Sequence, residues 1–278
     1  MSKLTELIAA VSRDLYGKKA VLGISGGKDS SIAAAVLSIA LGKENVLGIS
    51  MPNGEGIEDK PYVDMLEEAL KIDIRRINIK PLYDAALEQM AGDGKVLTIK
   101  ADTLINLPAR IRMTMLFAFA QSIENARVIN TCNLSEDMMG YSTLFGDLAG
   151  SYALLKPYTV TEIRDEIGME LCDQFRFPEE LVYRTPSDGL CGSTDEEKMG
   201  MTYADIDRYV RTGTTRKIMD KFHRVVTDST LQEAALIYKI RTRYEANKFK
   251  LSLVNIPGPS VPNPGRNFIL FPTNGETY

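Results

Sequence analysis

The sequence predicts an α/β fold, a doubly wound parallel sheet with helices on both faces, followed by further helices toward the C-terminus. Three observations carry that expectation. Short apolar or β-branched runs alternate with stretches of helical periodicity. The first run leads directly into a turn of serine and glycine that opens a helix. Each chemistry-bearing polar segment follows an apolar run, which places it at the carboxyl end of a strand, where such sheets bind ligands.

Taken in order, Met1–Asp14 mixes Lys3, Glu6, Arg13 and Asp14 into an amphipathic pattern and reads as a helix, not a secretory leader. Strands are expected at Lys19–Ile24, Val46–Met51, Ile74–Ile79 and Arg127–Thr131. Helices are expected between them, at 29–41, 59–71, 81–91 and 103–125. Residues 184–202 are rich in Gly, Ser, Thr and Asp and read as a long loop. Helical patterns return at 203–211, 214–226 and 230–249. Pro257, Pro259, Pro262, Pro264 and Pro272 mark an extended tail. The expected organisation is one domain over residues 1–250 and a proline-rich tail over 251–278, with no internal repeat.

Composition narrows the function classes. At 278 residues and 44% apolar content the chain has enough apolar material for a full core. A net charge of −4 with no long basic run argues against nucleic acid as a partner. No uninterrupted apolar stretch approaches the roughly 18 residues of a membrane-spanning helix. Cys132, Cys172 and Cys191 are far apart, as expected of unpaired thiols in a reducing cytoplasm. His223 is the only histidine, which argues against a histidine-based metal site or triad.

The most specific segment is Val21-Leu22-Gly23-Ile24-Ser25-Gly26-Gly27-Lys28-Asp29-Ser30-Ser31. A turn of Ser and Gly lets backbone N–H groups approach an anion, and the helix that follows points its positive end at the same spot. That is a phosphate cradle. It is not the common ATPase loop, because Asp29 follows the lysine where a metal-binding hydroxyl is required. It is not the dinucleotide fingerprint either, because Ser25 stands at the second glycine position. The Ser-Gly-Gly-x-Asp-Ser string resembles the pyrophosphate loop of the ATP pyrophosphatases, enzymes that activate a carboxyl or carbonyl oxygen by transferring AMP to it. Met51-Pro52-Asn53-Gly54 follows the second strand in the equivalent position.

After the fourth strand comes Asn130-Thr131-Cys132-Asn133-Leu134-Ser135-Glu136, then Gly140-Tyr141-Ser142-Thr143 and Gly146-Asp147. Glu136 and Asp29 would project from neighbouring strand ends into one crevice, and two carboxylates beside phosphates imply Mg²⁺. The competing assignment is that Ser135 and Glu136 cap a helix. In Asn106-Leu107-Pro108-Ala109-Arg110-Ile111-Arg112-Met113, helical spacing puts Arg110 and Arg112 on different faces, so at most one of them faces a given site. Pro186–Leu190, Thr194-Asp195-Glu196-Glu197 and Gly200 read either as an acidic loop capping the helix at Tyr203 or as a lid.

Together and in this order, these motifs resemble the NAD synthetases of the ammonia-dependent type, from about Val21 to Tyr209. The resemblance implies an adenine nucleotide α-hydrolase-like sheet and ATP-dependent amidation of deamido-NAD by ammonia through an adenylated intermediate. It implies that Ser25, Gly26, Gly27, Ser30 and Ser31 hold the ATP phosphates, with Met51 and Thr131 beside the nucleotide. Asp29 and Glu136 would coordinate Mg²⁺, and the loop around Thr194 and Asp195 would close over the site, Asp195 counting with them among the catalytic groups. Arg110, Tyr141, Thr143 and Asp147 would line the deamido-NAD site, which in the family lies across a homodimer interface. Ammonia would come free or from a separate glutaminase.

The chain departs from the family pattern at four places. Val160 stands where a phosphate-contacting lysine is frequent, and Lys156 one turn earlier is either its substitute or a surface lysine. Ser193 replaces Gln or Lys, Ser151 replaces an acidic residue, and Asn247-Lys248 takes the place of a His-Lys pair. A tRNA thiolase on the same loop would need paired cysteines and a basic face, which the chain lacks. A binding homologue without activity would fit Val160 but not the retention of both Asp29 and Glu136.

Overall fold

The structure, a computed structural model, describes residues 1–92, 98–184, 195–213, 230–253 and 256–259. It opens with α1 (Lys3–Asp14), whose first turn is capped by the Ser2 side chain and whose Leu4, Leu7 and Val11 are buried at helical spacing. Next come β1 (Lys19–Gly23), α2 (Lys28–Leu41), a single 3₁₀ turn at Lys43–Asn45 and β2 (Val46–Ser50). They are followed by α3 (Lys60–Leu70), β3 (Asp73–Arg76), α4 (Lys80–Ala91), α5 (Ala101–Gln121) and β4 (Ala126–Asn130). The remainder comprises α6 (Leu134–Met139), β5 (Tyr152–Ala153), α7 (Val160–Glu162) and, after a π-helical turn at Ile163–Gly168, α8 (Met169–Phe175). Then come α9 (Glu179–Tyr183), α10 (Asp195–Met199), α11 (Tyr203–Thr212), α12 (Thr230–Asn247) and α13 (Phe249–Leu253).

The expected α/β class is what forms. Five parallel strands run in the order β3-β2-β1-β4-β5, with Ala20 of β1 opposite Val46 on one side and Arg127 on the other. The order reverses at β1, so a crevice opens between the carboxyl ends of β1 and β4. One sheet face packs on α1 and α2, where Ala33, Ala34 and Ala35 let the helix lie close to the strands. The opposite face packs Val21, Ile49 and Val128 against Met113, Leu116 and Ala120 of α5. A separate apolar cluster joins Leu134, Met138 and Met139 of α6 to Tyr203, Ile206 and Val210 of α11 and to Ile240 and Tyr244 of α12. The crevice thus has one wall on the sheet and another on helices from the far end of the chain.

Several expectations need correction. The loop expected over 184–202 contains α10, because Asp195–Met199 has helix-forming residues and ends at Gly200 with φ +62°. Helices at 160–183 were not anticipated, since Thr159 and Glu162 form a capping box inside a segment of mixed polarity. The two-residue β5 is too short to leave a sequence pattern. Within the tail expected over 251–278, the first three residues close α13, and Ala153 N donates to Pro257 O at 2.8 Å beside β5. The helix expected at 214–226 and the tail beyond residue 259 lie outside the described residues.

Candidate active site

The cradle is built almost entirely from its own residues. Gly27 caps α2 with no side-chain bond to the first turn, which leaves that turn's N–H groups for a ligand. Gly26 takes φ +76°, and a Cβ there would press on Arg184 Nη1 at 3.1 Å and Asp59 O at 3.2 Å. Ser25 Oγ accepts from Gly27 N at 3.1 Å and lies 3.1 Å from Ser30 Oγ. Ser30 and Ser31 both donate to Gly27 O, at 3.1 and 2.8 Å, and Ser31 is fully buried. Lys28 is buried and its Nζ lies 2.5 Å from Asp29 Oδ1.

The facing side is supported from a distance. At the start of α6, Asn133 Oδ1 accepts from Glu136 N, and Glu136 Oε2 accepts from Asn133 N at 3.2 Å. So Glu136 does cap a helix, through Asn133 and not Ser135, and the cap uses one of its two carboxylate oxygens. Ser135 serves elsewhere: it donates to Asp207 Oδ1 of α11 and accepts from Val160 N at 3.0 Å, while Thr161 N donates to Asp207 Oδ2. Asn130 donates to Asp147 O and Ala149 O and accepts from Cys132 N, pinning the loop that carries Asp147 to the end of β4.

Charge identifies the floor of the crevice. Burial pushes the Glu136 carboxyl well above the usual range, the Asp29 charge pushes it further, and Lys28 opposes both. These influences bring Asp29, Lys28 and Glu136 into one electrostatic group at the β1/β4 switch point. Burial raises Asp137 to about 7, with Lys156 opposing and Asp147 reinforcing. Asp147 is touched by solvent yet surrounded by protein, so its carboxyl is also raised despite hydrogen bonds from Thr143.

The other expected residues fall around this floor. Met51 is buried at the end of β2, and its carbonyl accepts from Arg112 Nε at 2.8 Å. Thr131 is the first residue past β4 and is half-buried. Arg110 is exposed and donates to Leu144 O, while Thr143 donates to Asn106 Oδ1 at 2.8 Å, tying α5 to the Thr143–Asp147 loop. Of the two arginines, Arg112 is the sunken one: burial lowers its pKa, and the charges of Asp147 and Asp59 oppose that. Tyr141 lies under the Arg243 guanidinium. Lys156 donates to Ile256 O at 2.9 Å, so its ammonium is engaged by the C-terminal segment. Asp195 opens α10, while Thr194 and Ser193 lie outside the described residues.

Sequence reasoning missed four supports. Arg184 donates to Gly26 O at 2.9 Å and to Asp59 Oδ1 at 2.7 Å, and stacks over Tyr62 at 3.9 Å. Lys250 donates to Gly140 O and Ser142 O, and Arg243 donates to Met139 O. Asp207 closes the set. All lie far in sequence from what they hold, and no local pattern announces them.

An open parallel sheet, a glycine cradle at its switch point and facing carboxylates define a nucleotide-using enzyme of the pyrophosphate-loop class. The comparisons with known proteins make that specific. The NAD synthase family model matches residues 1–254. An NH(3)-dependent NAD(+) synthetase of Methanococcus aeolicus is 36% identical over 211 residues, covering 74% of this chain and 79% of the relative. One from Fusobacterium nucleatum is 38% identical, covering 74% and 76%. The solved NMN synthetase of Francisella tularensis superposes with a TM-score of 0.70 at 27% identity, over 91% of this chain and 96% of that one. The chain belongs to the NAD synthase family and is a ligase of NAD biosynthesis.

Proposed function

We propose that the chain joins ammonia to the nicotinate carboxyl of deamido-NAD at the expense of ATP, giving NAD, AMP and pyrophosphate. The observation that supports this most is an uncapped glycine turn that opens α2 beyond β1, with Lys28 and Asp29 at its edge and Glu136 in the segment after the neighbouring β4. A carboxylate oxygen of the substrate attacks the α-phosphorus of ATP and pyrophosphate leaves. Ammonia then attacks the acyl carbon, AMP departs, and the new nitrogen loses a proton. Neither step needs a protein nucleophile. The donor set suits a hard divalent cation: two carboxylates, one with an oxygen outside its helix cap. Mg²⁺ held by Asp29 and Glu136 would neutralise charge on the departing pyrophosphate.

The chain's residues divide the remaining work. The turn from Ser25 to Gly27 and the first N–H groups of α2 bind phosphate oxygens, with Ser30 and Ser31 bracing the turn through Gly27 O. Arg110, Tyr141, Thr143 and Asp147 receive deamido-NAD. Asp195 belongs to the segment that keeps water from the reactive adenylate. The substrate site is shared in a homodimer: α5 leaves Leu104 and Ile105 exposed, with Leu82 and Phe145 also uncovered. Free ammonia, or ammonia from a separate glutaminase, supplies the nitrogen. Among the described residues no helix is long and apolar enough to cross a membrane, and the proposed location is the cytoplasm.

Purified protein supplied with ATP, Mg²⁺, deamido-NAD and ammonium should form NAD and AMP in equal amounts. Glutamine in place of ammonium should give neither. A parallel arm with the mononucleotide acid tests the NMN synthetase activity named for the Francisella neighbour. ADP in place of AMP, or no amide product, contradicts the proposal.

A further inference from the structure

Resting on the metal assignment above, we infer that Lys28 is a built-in counter-ion of the acidic pair, competing with the divalent cation until nucleotide phosphates draw it away. Three observations support it. Lys28 is 6% exposed, an unusual place for a lysine that merely flanks a loop. Its ammonium is committed to Asp29 at 2.5 Å, and among the described residues Asp29 has no other ion pair. The same charge acts on Glu136 across the crevice, whose Oε2 is already engaged by Asn133 N. Two carboxylates whose charges act on one another repel unless a cation stands with them. In the resting chain that cation is Lys28.

The arrangement makes metal and nucleotide binding cooperative. A metal ion entering alone must break the Lys28–Asp29 pair and leave an enclosed ammonium without an anion, so it binds weakly. When phosphates occupy the adjoining turn, the ammonium gains a new anionic partner and Asp29 is released at little cost. Lys28 therefore orders the binding events without touching the carboxyl being activated, and it links the cradle to Asp29, one residue away.

Mn²⁺ titrated into the intact chain and followed by its free-ion paramagnetic signal reads this directly. Without nucleotide, Lys28→Gln and Lys28→Met should each bind Mn²⁺ at least about tenfold more tightly than the native chain. A non-hydrolysable ATP analogue should strengthen Mn²⁺ binding in the native chain more than in either variant. Two variants keep the test decisive should one fail to fold by circular dichroism. Mn²⁺ binding in the folded variants that is no tighter than native, or undetectable, overturns the inference. Native-like Mn²⁺ affinity in Asp29→Asn would instead overturn the metal assignment beneath it.

Discussion

The glycine turn after β1 and the acidic segment after β4 face one crevice but are held there by different means. The turn braces itself: Ser25, Ser30 and Ser31 bond to groups within six residues of themselves, and Arg184 is its main support from elsewhere. The acidic segment is held by α5, α11, α12 and α13, through Asn106, Asp207, Arg243 and Lys250. A phosphate cradle needs only backbone N–H groups in the right turn, which a few small residues specify. Enclosed carboxylates repel one another and pay desolvation, so they need polar partners and packing from several elements. One side is therefore a local structure, and the other is a product of the whole fold.

The sharpest break of this comparison removes the groups that make the two sides one site. Asp29→Asn and Glu136→Gln should each lower kcat/KM by at least about 100-fold, the loss of several kcal/mol of charge stabilisation, while circular dichroism stays native. Near-native turnover in either would separate the two sides.

Next in size come paired glycine substitutions. Gly140 takes φ +62°, and a Cβ there would fall 2.1 Å from Asn247 Cβ on α12. Gly140→Ala should cost about 2–3 kcal/mol in thermal unfolding, and replacing Asn247 with Gly should restore part of it. Gly26→Ala meets softer contacts and should cost only about 1 kcal/mol, showing chiefly as a higher KM for ATP. Equal losses at the two positions would erase the distinction between local and long-range support.

Asp207→Ala should cost about 1–3 kcal/mol by leaving Thr161 N and the Ser135 hydroxyl without their acceptor. It should also lower kcat more than it raises the KM for ATP, because it displaces α6 and not the turn. An effect on KM alone would show that α6 is held some other way.

A pH-dependent effect concerns Glu162, which caps α7 and pairs with Arg211 at 2.5 Å and Lys3 at 3.0 Å. Burial pushes its carboxyl up, but the bonds and charge of Arg211 outweigh that, and its pKa ends below the ordinary 4.5. A lowered folded-state pKa gives stability that is present above pH 4.5 and lost as pH falls through the folded value. Glu162→Gln should therefore be about 1–2 kcal/mol less stable than native at pH 7, with the gap closing toward pH 3. A gap that widens with acid would contradict the assignment.

The same division explains what was legible in the sequence. The four main strands, the helices between them and the cradle follow from period, apolar runs and turn chemistry, all local properties. The positions proposed for Asp29 and Glu136 could be read because each lies six residues beyond one of two strands that neighbour one another. Arg112, Asp207, Lys250 and Arg184 were not legible, because their significance lies in contacts with residues 46 to 158 positions away. Arg112 is the instructive case. Periodicity separated it from Arg110 but could not say which of the two turned inward, since that depends on where Met51 ends β2.

The claim at the centre is that the two sides together activate a carboxyl group at the α-phosphorus of ATP. Deamido-NAD carrying oxygen-18 in its nicotinate carboxyl tests it most directly. Mass spectrometry of the products should find one labelled oxygen in the AMP phosphate for each NAD formed, and none in pyrophosphate. Unlabelled AMP, or label in any other phosphate product, would contradict it.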